Sequence, residues 1–175
     1  MPLTFLLGGA RSGKSELAVR LASAFGGPVV VVVTARAGDG EMGDRIRRHR
    51  EDRPDEWATV EAPLEPVVAL RAAPPDAAVV LDCLTLWVAN VMETGGDEGG
   101  IVREAEELAS ILAGRFPPAI VVSNEVGLGI VPVNDLARRY RDVLGRVNAT
   151  MARAADRALF VVAGRALSLE DVSPS

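Results

Sequence analysis

The chain has 175 residues, 49% hydrophobic and 25% charged, a balance that suits one domain (1–175) with a buried core. A formal net charge of -5 and a pI near 5.0 argue against nucleic acid as the main partner, because a phosphate backbone calls for clustered cations. One cysteine, Cys83, excludes an internal disulfide; no basic segment leads into an apolar run near residue 1, and the longest apolar stretch, 28–33, is far too short to cross a bilayer, so a cytoplasmic protein without a membrane span is expected.

In chain order, residues 4–7 read as a short strand running into Gly8-Gly9. Residues 14–25 place Leu17, Ala18, Leu21, Ala22 and Phe25 on one helical face, stopped by Gly26, Gly27 and Pro28. The valine run 29–33 predicts a fully buried strand. Residues 38–52 space Met42, Ile46 and His49 by four and three, which predicts an amphipathic helix with a charged outer face.

Residues 57–60 read as a short strand, 64–72 as a helix closed by Pro74-Pro75, 77–81 as a buried strand and 84–92 as a helix. Residues 94–100 hold Gly95, Gly96, Gly99 and Gly100, which predicts a mobile loop or helix connection. A helix over 101–113, a strand over 119–123, a long helix over 134–155 and a final strand over 159–163 complete the series. In the long helix Leu136, Tyr140, Leu144, Val147 and Met151 are in register. Strands alternate with helices throughout, which predicts an α/β fold with a mostly parallel central sheet and helices on both faces.

The string GGARSGKS, Gly8, Gly9, Ala10, Arg11, Ser12, Gly13, Lys14 and Ser15, fits G-x-x-x-x-G-K-[ST]. Glycines let successive amides point into one concavity, and those amides together with the next helix N-terminus favour phosphate. Lys14, the only lysine, would bridge the outer phosphates, and Ser15 would place its hydroxyl on Mg²⁺. A strand before the string and an amphipathic helix after it separate this reading from a chance Gly-rich turn. They predict a P-loop NTPase fold of the RecA-like type.

A second acid is expected at the end of another buried strand, and the run 78–82 supplies Asp82 for the metal or its hydration shell. The alternative is a strand-end acid that caps the next helix. Ser123, Asn124 and Glu125 follow a buried strand at the carboxyl edge, where open parallel sheets bind ligands. Glu125 there is either a group that positions or deprotonates an acceptor hydroxyl, or a loop-capping acid. His49 also has two readings. A lone histidine at this spacing more often extends an apolar face, and the residues by themselves favour that. The other reading is a nucleophile forming a phosphoramidate, with Arg45, Arg47, Arg48, Arg50 and Arg53 to neutralise a triphosphate.

Several strings occur together: GGARSGKS, EMGDRIRRHREDRPDEW (41–57), LDCLTLWVAN (81–90), SNEVGLGIVP (123–132) and GRVN (145–148). In this order they closely resemble the bifunctional adenosylcobinamide kinase / adenosylcobinamide-phosphate guanylyltransferase family over nearly the whole chain. The resemblance implies phosphorylation of adenosylcobinamide with a nucleoside triphosphate, ATP or GTP. It then implies transfer of GMP from GTP to that phosphate through a guanylylated histidine, releasing pyrophosphate. It assigns the histidine to His49 and reverses the preference against a nucleophile.

It also places GTP contacts on Gly8 to Ser15, Thr34, Ala35, Arg36, Arg50, Glu51, Asp52, Arg53, Glu61 and Asp82, with Mg²⁺ at Ser15 and Asp82. It implies a homo-oligomer, a trimer, with the corrinoid near subunit boundaries. Arg138, Arg139 and Arg141 would either reach a neighbouring subunit or lie on a solvated helix face. Where a familiar member has adjacent histidines, this chain has Arg48-His49, so any helper role of the first is absent or taken by arginine.

Two rival functions fit the same residues. One is a P-loop kinase of another small alcohol, which would form no covalent GMP adduct. The other is a nucleotide-dependent switch, but the guanine-reading string N-K-x-D needs a second lysine that the chain does not have.

Overall fold

A computed structural model describes residues 3–36 and 53–172. The helix expected over 38–52, and with it His49, Arg50, Glu51 and Asp52, lies outside the described residues.

Seven strands form one sheet: β1 (Leu3–Gly8), β2 (Val29–Val33), β3 (Ala58–Glu61), β4 (Ala78–Asp82), β5 (Ala119–Asn124), β6 (Arg157–Val162) and β7 (Arg165–Ser168), in spatial order β3-β2-β4-β5-β1-β6-β7. All neighbours are parallel except β6 and β7. The described helices are α1 (Lys14–Ser23), α2 (Pro66–Ala72), α3 (Leu84–Glu93), α4 (Glu98–Ala113) and α5 (Asp135–Ala154).

Strand alternation sorts the side chains into two cores. Leu3, Phe5, Val30, Val32, Val79, Leu81 and Val121 face one side, where Leu70 of α2, Trp87 of α3, Ile101 of α4 and Val147 of α5 join them. Leu6, Val29, Val31, Val80, Ile120, Val122 and Leu159 face the other, against Ala18 and Ala22 of α1. Helices therefore cover both faces, but unevenly. Both sides of the central strands are apolar because both are covered.

The chain leaves β1 toward β2 on one side, while β6 pairs with β1 on the other. Helix α1 after β1 packs on one face and α5 after β5 on the other, so the neighbours β1 and β5 send the chain to opposite faces, and ligands gather at the carboxyl ends of strands at such a point. β5 lies between β1 and β4, so the Ser123–Asn124 end sits between the turn after β1 and Asp82.

The structure departs from the sequence reading in three places. Residues 159–163 do not form the last strand: β6 ends at Val162, and a turn at Ala163-Gly164 returns the chain as β7. Gly99 and Gly100 belong to α4, because the Asp97 side chain caps it by accepting from the Gly100 N–H at 2.9 Å. Leu136, placed in register with Tyr140, Leu144, Val147 and Met151, is 63% exposed, since it sits in the first turn of α5 and burial of the helix begins only at Val143.

Candidate active site

Glycine fits the turn after β1 at two positions. Gly13 has φ +99, a region side chains avoid, and a Cβ there would meet Gly164 Cα at 3.3 Å. A Cβ on Gly8 would come within 2.1 Å of the Val161 carbonyl oxygen. Gly13 is also the N-cap of α1 and supplies no capping side chain. The first amides of α1 therefore face the turn, which is the arrangement that favours an anion.

Lys14 is buried inside this turn, and its ammonium donates to the carbonyls of Gly8 at 2.9 Å and Gly9 at 2.6 Å and to Ser12 Oγ at 3.3 Å. One cation thus sits in the middle of the strand-turn-helix. Ser15 follows at the start of α1 and lines a cavity of about 320 Å³ together with Val19, Arg53, Trp57, Val80 and Asp82. Asp82 reaches it because it shares strand parity with Ala78 and Val80, whose side chains pack against α1.

Arg53 donates to the Asp82 carboxylate at 2.9 Å, with side-chain exposures of 9% and 18%. The pair sets a guanidinium beside the acid in the cavity that Ser15 also lines. Among the described residues no group of three or more His, Cys, Asp or Glu could hold a metal ion. One hydroxyl and one carboxylate nevertheless suit Mg²⁺, which takes one or two carboxylates and completes its shell with water and substrate phosphates.

Other predicted residues fall as follows. Thr34 is fully buried. Its hydroxyl donates to the Cys83 carbonyl at 2.6 Å and accepts from the Cys83 N–H at 2.9 Å, and its own N–H donates to the Asp82 carbonyl at 3.0 Å. The side chain is thus committed to the backbone that carries Asp82. Ala35 is partly buried just beyond, while Arg36 is exposed and pairs with Glu93 of α3 at 3.7 Å. Glu61 ends the edge strand β3 opposite Val33, in the same row as Asp82 but two strands away.

The Glu125 N–H donates to the Gly8 carbonyl at 3.1 Å, so the β5 exit is tied to the phosphate turn, while its carboxylate accepts from the Gly127 N–H. Arg138 donates to the Pro132 and Val133 carbonyls, Arg139 pairs with Glu98, and Arg141 with Asp142. Burial, reinforced by the neighbouring Asp82 carboxylate, pushes the Cys83 thiol up to about 11. It is therefore protonated near neutral pH and no nucleophile.

Sequence reasoning missed the residues that hold this edge. Asn148 of α5 is buried, accepts from the Ser123 hydroxyl at 2.6 Å and donates to the Asn124 carbonyl at 3.1 Å. The Thr85 hydroxyl accepts from the Asn124 N–H at 2.8 Å, and Asn90 donates to the Thr34 carbonyl at 2.8 Å. All sit within strings that carried the resemblance. The available signal was a polar residue on an otherwise apolar helix face.

Comparison with known proteins agrees with the geometry. Two solved structures share the fold: the RadB recombinase, at TM-score 0.52 and 16% identity over 91% of this chain and 73% of that one, and the type III secretion ATPase EscN of enteropathogenic E. coli, at 0.57 and 15% over 93% and 43%. At such identities they establish the RecA-like P-loop fold alone. The bifunctional adenosylcobalamin biosynthesis protein CobP of Pseudomonas aeruginosa is 46% identical over 94% of this chain and 95% of its own. Its counterpart CobU of Salmonella typhimurium is 38% identical over 93% and 96%. Residues 4–169 match the family described as cobinamide kinase / cobinamide phosphate guanyltransferase, and the chain belongs to that bifunctional family of cobalamin biosynthesis.

Proposed function

We propose that the turn 8–15 binds the triphosphate for two successive reactions on one substrate. The observation that carries this is Lys14, buried within a glycine turn at an uncapped helix N-terminus, with Ser15 and Asp82 on one cavity wall. In the first reaction the aminopropanol hydroxyl oxygen of adenosylcobinamide attacks the γ-phosphorus. The bond from that phosphorus to the β–γ bridging oxygen breaks, the nucleoside diphosphate leaves, and the hydroxyl proton passes to a base or to solvent. Backbone amides of the turn and Lys14 hold the phosphates and offset the charge that builds on the transferring group. Mg²⁺, held by Ser15 and Asp82, would supply further charge neutralisation at the outer phosphates. Arg53 stands ready beside that acid.

In the second reaction an imidazole nitrogen of His49 attacks the α-phosphorus of GTP. A P–N bond forms, the α–β bridge breaks, and pyrophosphate leaves. A phosphate oxygen of adenosylcobinamide phosphate then displaces the histidine, giving adenosylcobinamide-GDP. The role of His49 rests on family membership and on its place in the string 41–57. Membership likewise supports a cytoplasmic homo-oligomer, a trimer. The exposed Leu128, Ile130, Val131 and Val133 beside the β5 exit offer apolar surface for such an assembly.

The test is to mix the protein with adenosylcobinamide, GTP and Mg²⁺ and follow products by mass. The expected products are a nucleoside diphosphate, pyrophosphate and adenosylcobinamide-GDP. GTP labelled at the α-phosphorus should leave an acid-labile, base-stable adduct on the wild type and none on His49→Ala. An adduct of equal yield on that variant refutes the nucleophile, and sedimentation of a monomer refutes the assembly.

A further inference from the structure

Strand β7 of the β6–β7 hairpin is the antiparallel addition to an otherwise parallel sheet, and its own packing gives little reason for it. All four residues of β7 are exposed, and among the described strands β7 pairs only with β6. Its turn residues Ala163 and Gly164 both have positive φ, 50 and 72, the pattern of a tight I′ turn. Ala163 adopts this conformation despite its Cβ.

The hairpin does touch the phosphate turn. The Gly164 N–H donates to the Ser12 carbonyl at 2.9 Å, Gly164 Cα lies where a Cβ on Gly13 would meet it at 3.3 Å, and the Val161 carbonyl blocks any Cβ on Gly8. In a trans peptide the C=O of one residue and the N–H of the next point in opposite directions. A bond that draws the Ser12 carbonyl toward Gly164 therefore turns the Gly13 N–H away from the hairpin.

We infer that Gly164 is a positioning residue for the triphosphate: by holding the Ser12 carbonyl outward it aims the Gly13 amide at a phosphate oxygen. The inference rests on the reading of the turn 8–15 as the triphosphate site. No heavy atom lies within 4 Å of a Cβ built on Gly164, so a side chain there acts through backbone conformation and not through a clash. Asn tolerates positive φ, whereas β-branched Val resists it.

Gly164→Val should raise the triphosphate KM of both reactions roughly threefold to tenfold, the range of one hydrogen bond, with the KM for adenosylcobinamide unchanged. Gly164→Asn should restore wild-type values. A merely structural hairpin predicts a lower Tm for Gly164→Val with an unmoved triphosphate KM, and that result overturns the inference. Should Gly164→Val fail to fold, amide exchange of the wild-type chain decides: Mg²⁺·GTP should slow exchange at Gly164, and unchanged exchange overturns the inference. Lys14→Ala measured alongside separates the two levels. If it leaves kcat/KM for the triphosphate unmoved, the site reading itself fails; if it lowers that value while Gly164→Val leaves the triphosphate KM unmoved, only the role of Gly164 fails.

Discussion

Thr34, Thr85, Asn90, Ser123 and Asn148 are each more than nine-tenths buried, and their side chains bond to backbone or to one another at the carboxyl edge of the sheet. Strand pairing ends there, and the peptide groups of Asn124 and Cys83 take side-chain partners in place of ladder partners. These residues fix where Asp82 and the β5 exit stand. Thr34→Val keeps the shape but strands the Cys83 N–H and C=O, which should cost about 2–4 kcal/mol by urea denaturation, while Thr34→Ser stays close to wild type. In the proposed function Lys14 acts directly on the phosphates. Lys14→Ala should lower kcat/KM for the triphosphate by about 10²-fold or more in both reactions, by steady-state kinetics, because both use one grip on the phosphates. Loss confined to one reaction contradicts a shared grip.

Element type was legible wherever period and punctuation agreed. The valine run 29–33 is β2 to the residue, and the string 8–15 runs from the last residue of β1 into the first turn of α1. What escaped was set by single side chains or by tertiary contact. Asp97 extends α4 over two glycines, and the β6–β7 turn lacks the usual Asn-Gly or Asp-Gly signal because Ala163 occupies its first position. In the candidate site, Asp82 could be read from its strand, but its pair with Arg53 and the neighbouring Thr34–Cys83 contact join residues 29 and 49 positions apart.

Glu98, in the first turn of α4, joins that helix to α5 by accepting from Arg139 at 2.7 Å and Arg146 at 2.9 Å. The Arg139 hydrogen bond, then that of Arg146, holds its carboxyl below the usual 4.5. A folded pKa below the unfolded one means stability that is full above 4.5 and fades as pH falls through the folded value. Glu98→Gln should therefore lower Tm slightly at pH 7, by less at high salt, and the gap from wild type should close in acid; a gap that is constant from pH 7 to pH 3 contradicts the linkage.

At the scale of the molecule, the proposed function has two reactions that break different bonds of a triphosphate share one sheet edge. β5 stands between β1 and β4, so the turn 8–15, the Asn124–Glu125 exit and Asp82 lie in one row, and the chain leaves β1 and β5 toward opposite faces there. Among the described residues no second glycine-rich turn joins a strand to an uncapped helix N-terminus in this way. The division of labour then belongs to the attacking groups. His49→Asn should abolish guanylyl transfer and keep kinase turnover, so that adenosylcobinamide phosphate accumulates; equal loss of both rejects the division. A shared cradle has a stricter consequence. A GTP analogue with non-cleavable α–β and β–γ bridges should compete with triphosphate in both half-reactions with one inhibition constant, because the same amides and the same lysine bind it in each. Measured separately, as kinase turnover with His49→Asn and as adduct formation with wild type lacking corrinoid, the two constants should agree within a few-fold. A difference beyond tenfold, about 1.4 kcal/mol, would mean that the enzyme holds the triphosphate in two distinct places.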